Sequence, residues 1–331
     1  MKALVTGGAG FIGSNLVDAL IDRGDQVVVL DNLASGRKSN LEPALARGAH
    51  LVVEDIRDAG LVKSLLESEK PEVVFHLAAQ MDVRVSAARP VYDAEVNVIG
   101  TINMLEAARA AGSRRFVFAS TGGAIYGETD LLPTPEDAEI NSEAPYGHAK
   151  YSAEGYCDLW RRMHGLSTVS LRFGNVYGPR QDPLGEAGVV AIFCGKLRDR
   201  GQPTVFGDGR QTRDYIYVSE VVQAALIASA AGVNGPFNVG TGNESSVLDL
   251  VEALGKLGRE SGMIAPNGAF APQFAPARTG EVQRSSLNTA KSRDVLGFEA
   301  QVGLEDGLRL TLEWVAEDSA RSAQPARARA S

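Results

Sequence analysis

Along the chain, short runs of apolar, β-favouring residues alternate with longer stretches in which apolar positions return near i, i+3, i+4 and i+7. The runs at 3–6, 27–30, 51–53, 73–76, 116–119 and 168–171 read as strands, and the stretches 11–23, 61–69, 91–111 and 146–165 read as helices. That alternation predicts an α/β fold, a Rossmann-type doubly wound parallel sheet with helices on both faces, because right-handed crossovers place successive strands side by side. Ligands of such sheets sit outside the carboxyl ends of the strands, so the loops that follow strands are where chemistry is to be sought. After Arg172 the pattern breaks into loops such as Tyr177-Gly178-Pro179-Arg180 and Gly207-Asp208-Gly209-Arg210, strand-like pieces at 215–218 and 237–239, and separate helices. This predicts a cofactor-binding domain over 1–173 and a smaller mixed α/β substrate lobe over 174–315, some segments of which return to the first domain. Residues 316–331, rich in Ala, Arg and Ser, read as a disordered tail.

Composition narrows the class. A chain of 331 residues with 44% hydrophobic, 22% charged and 6% aromatic residues can bury a large core and is neither collagen-like nor unfolded. Glycine is in excess, 36 residues, which suits tight turns and close backbone approach to a ligand. The net charge of -8, without a long basic run, argues against nucleic acid as a partner. Cys157 and Cys194 stand apart from each other and from any metal-spaced cluster, so reduced buried thiols are expected, with no disulfide and no metal. The opening residues reach glycine too soon for a signal peptide, and no apolar run approaches the roughly 18 residues of a membrane helix. A cytoplasmic protein without a membrane partner is expected.

Within that frame the first strand runs into Gly7-Gly8-Ala9-Gly10-Phe11-Ile12-Gly13, which opens a helix, and the second strand ends in Asp31, 18 residues past Gly13. Each part has a mechanical use. Gly7 permits the tight turn, Gly10 lets backbone amides approach a pyrophosphate at the helix amino terminus, and Gly13 lets helix and strand pack closely. Asp31 can accept hydrogen bonds from both ribose hydroxyls and would repel a 2′-phosphate, so NAD is expected rather than NADP, although Arg37 stands nearby. Asp55 follows the third strand and His76-Leu77-Ala78-Ala79 ends the fourth. Alone these read as a surface carboxylate and as core packing, but their place at carboxyl strand ends brings them toward a ligand.

Tyr146 and Lys150 are four apart at the start of a helix, which stacks them on one face. The preceding strand ends in Ser120-Thr121, so hydroxyls, phenol and ammonium meet at one edge of the sheet. A phenol with a pKa near 10 is a poor base at neutral pH, but an adjacent ammonium and a positively charged nicotinamide both favour the phenolate. Tyr146 is therefore the candidate base.

These segments, TGGAGFIG, DNL, HLAAQ, STGGAIYG, PYGHAK, RFGNVYGPRQDP and FGDGRQTRDYIYV in this order, resemble an extended short-chain dehydrogenase/reductase of the NAD-dependent epimerase/dehydratase family, and within it the bacterial UDP-glucose 4-epimerases. The likeness runs from residue 1 to about residue 315. It implies that a Tyr takes the proton of the sugar 4-hydroxyl while hydride leaves C4 for NAD, and that the 4-keto sugar turns over and takes the hydride back on its other face. Mapped by motif, the resemblance makes Tyr146 the base, Lys150 the group that holds the nicotinamide ribose, and Thr121 or Ser120 the hydroxyl on the 4-oxygen. The two hydroxyls stay open: counting back from Tyr126 reaches Gly122, while counting forward along the strand reaches Thr121. The same likeness implies cofactor contacts at Gly7, Gly10, Phe11, Ile12, Gly13, Asp31, Asn32, Asp55, Ile56, Leu77, Ala78, Ala79 and Asn97. It implies substrate contacts at Asn175, Arg213 and Arg278 for a UDP-sugar diphosphate and uridine, and at Val205 and Phe206 for the base. The fork of a guanidinium suits paired phosphate oxygens.

Dehydratases and decarboxylases of that superfamily carry an acid directly after the active hydroxyl, where this chain has Gly122 and Gly123, so an acid for elimination is missing. Seven residues after Arg278 stands Ser285, at a position where the family it resembles carries a bulky aromatic when only the 2-hydroxyl sugar fits and a small residue when N-acetyl sugars fit too, so the resemblance implies that N-acetylated UDP-sugars fit as well. The chain also reads Arg278-Thr279-Gly280-Glu281 where the family has an Arg followed by Gly-Asp. Alternatives are a UDP-glucuronate 4-epimerase, for which Arg84 would be the extra cation, and a non-catalytic NAD-binding protein on the same fold. The resemblance further implies a homodimer, paired through the helices at 91–111 and 146–165.

Overall fold

The computed structural model describes residues 1–183, 188–278 and 280–323, with the side chains of 319–323 excepted. The chain begins with β1 (Lys2–Thr6), α1 (Phe11–Asp22), β2 (Gln26–Leu30), α2 (Glu42–Ala46), β3 (His50–Val52), α3 (Ala59–Glu69) and β4 (Val73–His76). There follow α4 (Val83–Ala88), α5 (Pro90–Ala94), a π-helical turn at Glu95–Ile99, α6 (Gly100–Ala110), β5 (Arg115–Thr121), α7 (Gly123–Tyr126), α8 (Pro145–His164) and β6 (Ser167–Phe173). The second half holds β7 (Asn175–Tyr177), α9 (Val189–Arg198), β8 (Thr204–Phe206), β9 (Thr212–Arg213), β10 (Tyr215–Tyr217) and α10 (Val218–Ala230). It continues through β11 (Gly235–Val239), β12 (Ser245–Ser246), α11 (Val247–Glu260), β13 (Gln273–Ala275) and α12 (Leu304–Ala323).

Seven strands form one parallel sheet in the order β11-β6-β5-β4-β1-β2-β3. The order reverses between β1 and β4, which opens a crevice at their carboxyl ends, and Thr6 stands there with Leu30 on one side and His76 on the other. The strands are apolar on both faces because both are covered. On one face Val5, Phe75 and Val117 pack with Leu16 and Leu20 of α1 and Val221 and Ala225 of α10. On the other, Leu4, Val74, Phe116 and Phe118 pack with Leu66 of α3, Leu105 of α6 and Ala153 and Cys157 of α8. A second core, with Phe193, Leu250, Leu254, Leu308 and Leu312, joins α9, α11 and α12.

The periodic stretch 91–111 is not one continuous α-helix. It begins at Pro90 and is interrupted at 95–99 by the π-helical turn, which rotates Asn97 inward to 1% exposure. The third strand ends at Val52, and Val53 is exposed. β11, from the second half of the chain, pairs with β6 and completes the central sheet. The last helix extends past Ala316 to Ala323; residues 324–331 of the expected tail lie outside the described residues, as does Thr279.

Candidate active site

The crevice above β1 and β4 is built around the glycine loop. Gly7 has φ +68°, and a Cβ there would lie 2.7 Å from the Ala78 nitrogen, so any side chain would collide with the loop after β4. A Cβ on Gly13 would lie 2.1 Å from the Gly7 carbonyl oxygen, which is how closely α1 sits on the turn. Gly10 caps α1 without a side-chain hydrogen bond, and the first turn carries no acidic residue. The amides of Phe11, Ile12 and Gly13 therefore point out of the helix end unopposed, a ready site for a pyrophosphate.

Thr6 ties this loop to the next strand. Its Oγ1 accepts from the amides of Leu77 at 3.2 Å and Ala78 at 3.1 Å and meets His76 Nδ1 at 2.7 Å. Thr101 donates to the Asn97 carbonyl, so its Oγ1 can only accept from His76 Nε2, which leaves Nδ1 to accept from Thr6. Burial, aided by the charge of Lys150, pushes His76 down to about 3. His76 is thus a neutral brace between β1, β4 and α6. Leu77, Ala78 and Ala79 are half-buried at the floor of the crevice.

Asp31 lies at the end of β2, against the glycine loop. Its Oδ2 accepts from the Ala9 amide at 2.9 Å and its Oδ1 from the Leu33 amide at 2.8 Å, so the carboxylate also holds the glycine loop. Arg37 is turned to Asp182 at 2.5 Å across the cleft. Asn32 donates to Asp55 at 2.9 Å, and the Arg57 guanidinium beside Asp55 holds that carboxyl at about 2. Ile56 is buried against Gly100. Asn97 donates to the Gln80 carbonyl and to Asp93 Oδ1, and its own Oδ1 accepts from the Gln80 amide. Its amide group thereby fixes the loop after β4.

On α8, Pro145 starts the helix and Tyr146, Lys150 and Glu154 fall on one face. Lys150 is 3% exposed; its Nζ donates to the Ala119 carbonyl at 2.9 Å and lies 4.7 Å from the Phe118 ring centre. Burial pulls Lys150 down to about 8, against the raising charges of Asp93, Cys157 and Glu154. Burial, and then the charge of Asp93, pushes the Tyr146 phenol above its ordinary range. Ser120 and Thr121 alternate along β5. Ser120, 4% exposed, donates to Glu154 Oε1 at 2.5 Å, and Glu154 is gripped by Arg172 through Nη2 at 2.7 Å and Nε at 3.0 Å. Thr121 is half-buried and makes no side-chain hydrogen bond among the described residues.

The second half of the chain supplies the facing wall. β8 and β13 pair in parallel, burying Val205 and setting the Arg278 guanidinium 4.1 Å from the centre of the Phe206 ring. Arg213 donates to its neighbour's carbonyl and stands 3.6 Å from Glu281. Asn175 is exposed at the start of β7. Ser285 reaches the turn after β5: its Oγ would lie 3.3 Å from a Cβ on Gly123, while Leu287 packs over Gly122. Asp214, which pattern reading passed over, joins these pieces. It accepts from the Thr241 amide at 2.8 Å, the Thr241 hydroxyl at 2.7 Å, the Gly242 amide at 3.0 Å and the Leu287 amide at 3.3 Å. Burial still pushes its carboxyl upward. Asp93 was also missed; an Asp four residues before Asn97, on the inward side of the same helical stretch, was the available signal. Among the described residues no group of side chains could hold a metal ion, and no helix is long and apolar enough to cross a membrane.

Comparison with known proteins agrees with this geometry. A profile of the NAD dependent epimerase/dehydratase family matches residues 3–240. A UDP-glucose 4-epimerase of Mycolicibacterium smegmatis is 46% identical over 317 residues, which cover 95% of this chain and 98% of the relative. Among solved structures, UDP-glucose 4-epimerase of Thermotoga maritima with UDP-glucose superposes with a TM-score of 0.90 at 44% identity, covering 96% of this chain and 100% of that one. UDP-glucose 4-epimerase of Thermus thermophilus in complex with NAD does so with a TM-score of 0.86 at 40% identity, covering 96% and 99%. With a profile match over most of the length and a relative 46% identical along nearly all of both chains, the chain belongs to the NAD dependent epimerase/dehydratase family.

Proposed function

We propose that the chain is an NAD-dependent UDP-glucose 4-epimerase. The observation that carries this reading is the end of β5: among the described residues the Thr121 hydroxyl makes no hydrogen bond, Lys150 of α8 donates to Ala119 two residues before it, and Gly122 and Gly123 follow where an eliminating enzyme needs an acid. A 4-keto sugar formed there has no acid placed to drive loss of a neighbouring group, so re-reduction is the open route. The unopposed amides of α1, the absence of a first-turn acid and the glycines that admit no Cβ fit a dinucleotide diphosphate, with Asp31 beside the adenosine ribose. NAD supplies the hydride acceptor and donor for sugar C4.

The protein's own groups do the rest. Tyr146 takes the 4-hydroxyl proton on its phenol oxygen and returns it to the same 4-oxygen once the 4-keto sugar has turned over. The Lys150 ammonium offsets the phenolate, whose formation burial opposes. Thr121 is the hydroxyl for the 4-oxygen, because Ser120 is spent on Glu154. Arg213 and Arg278 hold the diphosphate, Asn175 the substrate entrance, and Val205 and Phe206 the uracil. Ser285 leaves room beside Gly123, and UDP-GlcNAc and UDP-GalNAc are interconverted as well. Arg84, the cation a glucuronate epimerase would use, is 82% exposed and lies 3.6 Å from Asp82, which disfavours that substrate. Two chains pair through α5, the π-helical turn, α6 and α8, where Val91, Ile99, Tyr151 and Met163 are exposed apolar side chains. The setting is galactose metabolism in the cytoplasm.

The test is incubation of purified protein with UDP-galactose deuterated at C4. UDP-glucose that keeps its deuterium is expected, without lasting accumulation of NADH; washout of the label, or NADH matching product, overturns the reading. If UDP-galactose reacts and UDP-GlcNAc does not, only the extension to N-acetyl sugars is withdrawn.

A further inference from the structure

Asp93 is a buried charge that the reaction as described does not use. It lies on α5, which packs against α8, and is 1% exposed. Both hydrogen bonds to its side chain, from Gln80 Nε2 at 2.9 Å and Asn97 Nδ2 at 3.0 Å, fall on Oδ1, and neither donor is charged. Oδ2 is buried with no hydrogen-bonding partner among the described residues. A carboxylate in such a place is costly unless a positive charge answers it. Lys150, on the facing helix, is equally buried and among the described residues has only a carbonyl and an aromatic face in direct contact with its ammonium.

The other groups around Lys150 are already accounted for. Glu154 belongs to Arg172 of β6 and Ser120 of β5. The Cys157 thiol is pushed up by burial and His76 of β4 is pushed down, so both are neutral at pH 7. On α4, Arg84 is exposed and Asp82 caps the helix; Glu95 of the π turn lies near Arg57 at 3.8 Å. That leaves Asp93, whose charge acts on Lys150 and on Tyr146 in the same sense, favouring the proton on each.

We propose that Asp93 is a positioning residue for the catalytic pair, a fixed counter-charge that holds Lys150 as an ammonium and keeps Tyr146 a phenol until cofactor and substrate are in place. This rests on the assignment of Tyr146 and Lys150 above. The test is Asp93→Asn, which keeps the acceptor for Gln80 and Asn97 and removes only the charge. Loss of a negative charge makes the first proton of the pair leave at lower pH, so both limbs of the pH profile of turnover are expected to move to acid by about one pH unit or more. The phenolate absorbance of Tyr146 in the NAD-loaded protein, read as the difference from Tyr146→Phe, is expected to appear at correspondingly lower pH. Reduced turnover with both limbs unmoved means that Asp93 merely supports the fold, and overturns the proposal. Should Asp93→Asn fail to fold, Asp93→Ser, smaller and also neutral, is read in the same way. Turnover that survives in Tyr146→Phe sinks the parent assignment, whereas an inactive Tyr146→Phe beside unmoved limbs in Asp93→Asn sinks the inference about Asp93 alone.

Discussion

One turn of α8 separates two buried charges that have opposite surroundings. Glu154 meets the Arg172 guanidinium through both of its oxygens and also takes the Ser120 hydroxyl, while Arg172 goes on to Tyr126 at 2.8 Å and the Glu136 carbonyl at 3.0 Å. Lys150 has one carbonyl, one ring face and a carboxylate across the helix interface. The first arrangement is saturated, and its pairing drives Arg172 above its ordinary range despite burial. The second is left short of partners, and burial brings Lys150 down to about 8. A saturated buried pair holds β5, β6 and α8 together; an unsaturated one keeps a charge available to a ligand.

The largest expected effect tests the open end of this contrast. Tyr146→Phe removes the base and leaves packing intact, so turnover of UDP-galactose is expected to fall by roughly 100-fold to 10,000-fold with the melting temperature unchanged. Near-normal turnover would show that the Tyr146–Lys150 face is not the reacting one. At the saturated end, Glu154→Gln leaves the Arg172 charge buried without its partner, and denaturant unfolding should show a loss of about 3 kcal/mol. Protein that remains folded should keep most of its turnover; the reverse pattern, full stability and lost turnover, would erase the distinction between the two charges.

The smallest effect is one of pH. The folded-state pKa of Lys150, about 8, lies below its ordinary 10.5, so between these values the unfolded chain holds a proton that the folded chain has released. Stability therefore rises with pH across that window, and the burden of the charged lysine is felt in full below it. Relative to Lys150→Met, the wild-type protein should gain about 2 kcal/mol between pH 8 and 10.5 in urea unfolding series. Parallel stability curves would mean that Lys150 is better solvated than its burial implies.

Much of this was legible in the residues. Apolar runs located the first six strands of the sheet, because a parallel sheet covered on both faces demands continuous apolar segments, and the strand-like piece at 237–239 falls in the seventh, β11. Gly7, Gly13, Asp31, Tyr146 and Lys150 could be singled out because backbone approach, ribose binding and phenol ionisation each need one residue type at one spacing. Asp214 could not, since it acts on Thr241 and Leu287 far along the chain; for Asp93 the spacing to Asn97 was visible, but its place against α8 was not. Nor could the hydroxyls be ranked, since Ser120 is taken out of play by Glu154, 34 positions away.

Local order along the chain therefore settles which elements form, where the glycine turn lies and which side chains carry chemistry, because helix and strand periods and turn geometry involve near neighbours. Folding settles which of those side chains are left unsatisfied. Whether a buried carboxylate is neutralised, as Glu154 is, or left facing an ammonium, as Asp93 is, depends on partners brought together from separate strands and helices, and the strength of a charge in a dry interior depends on those partners above all.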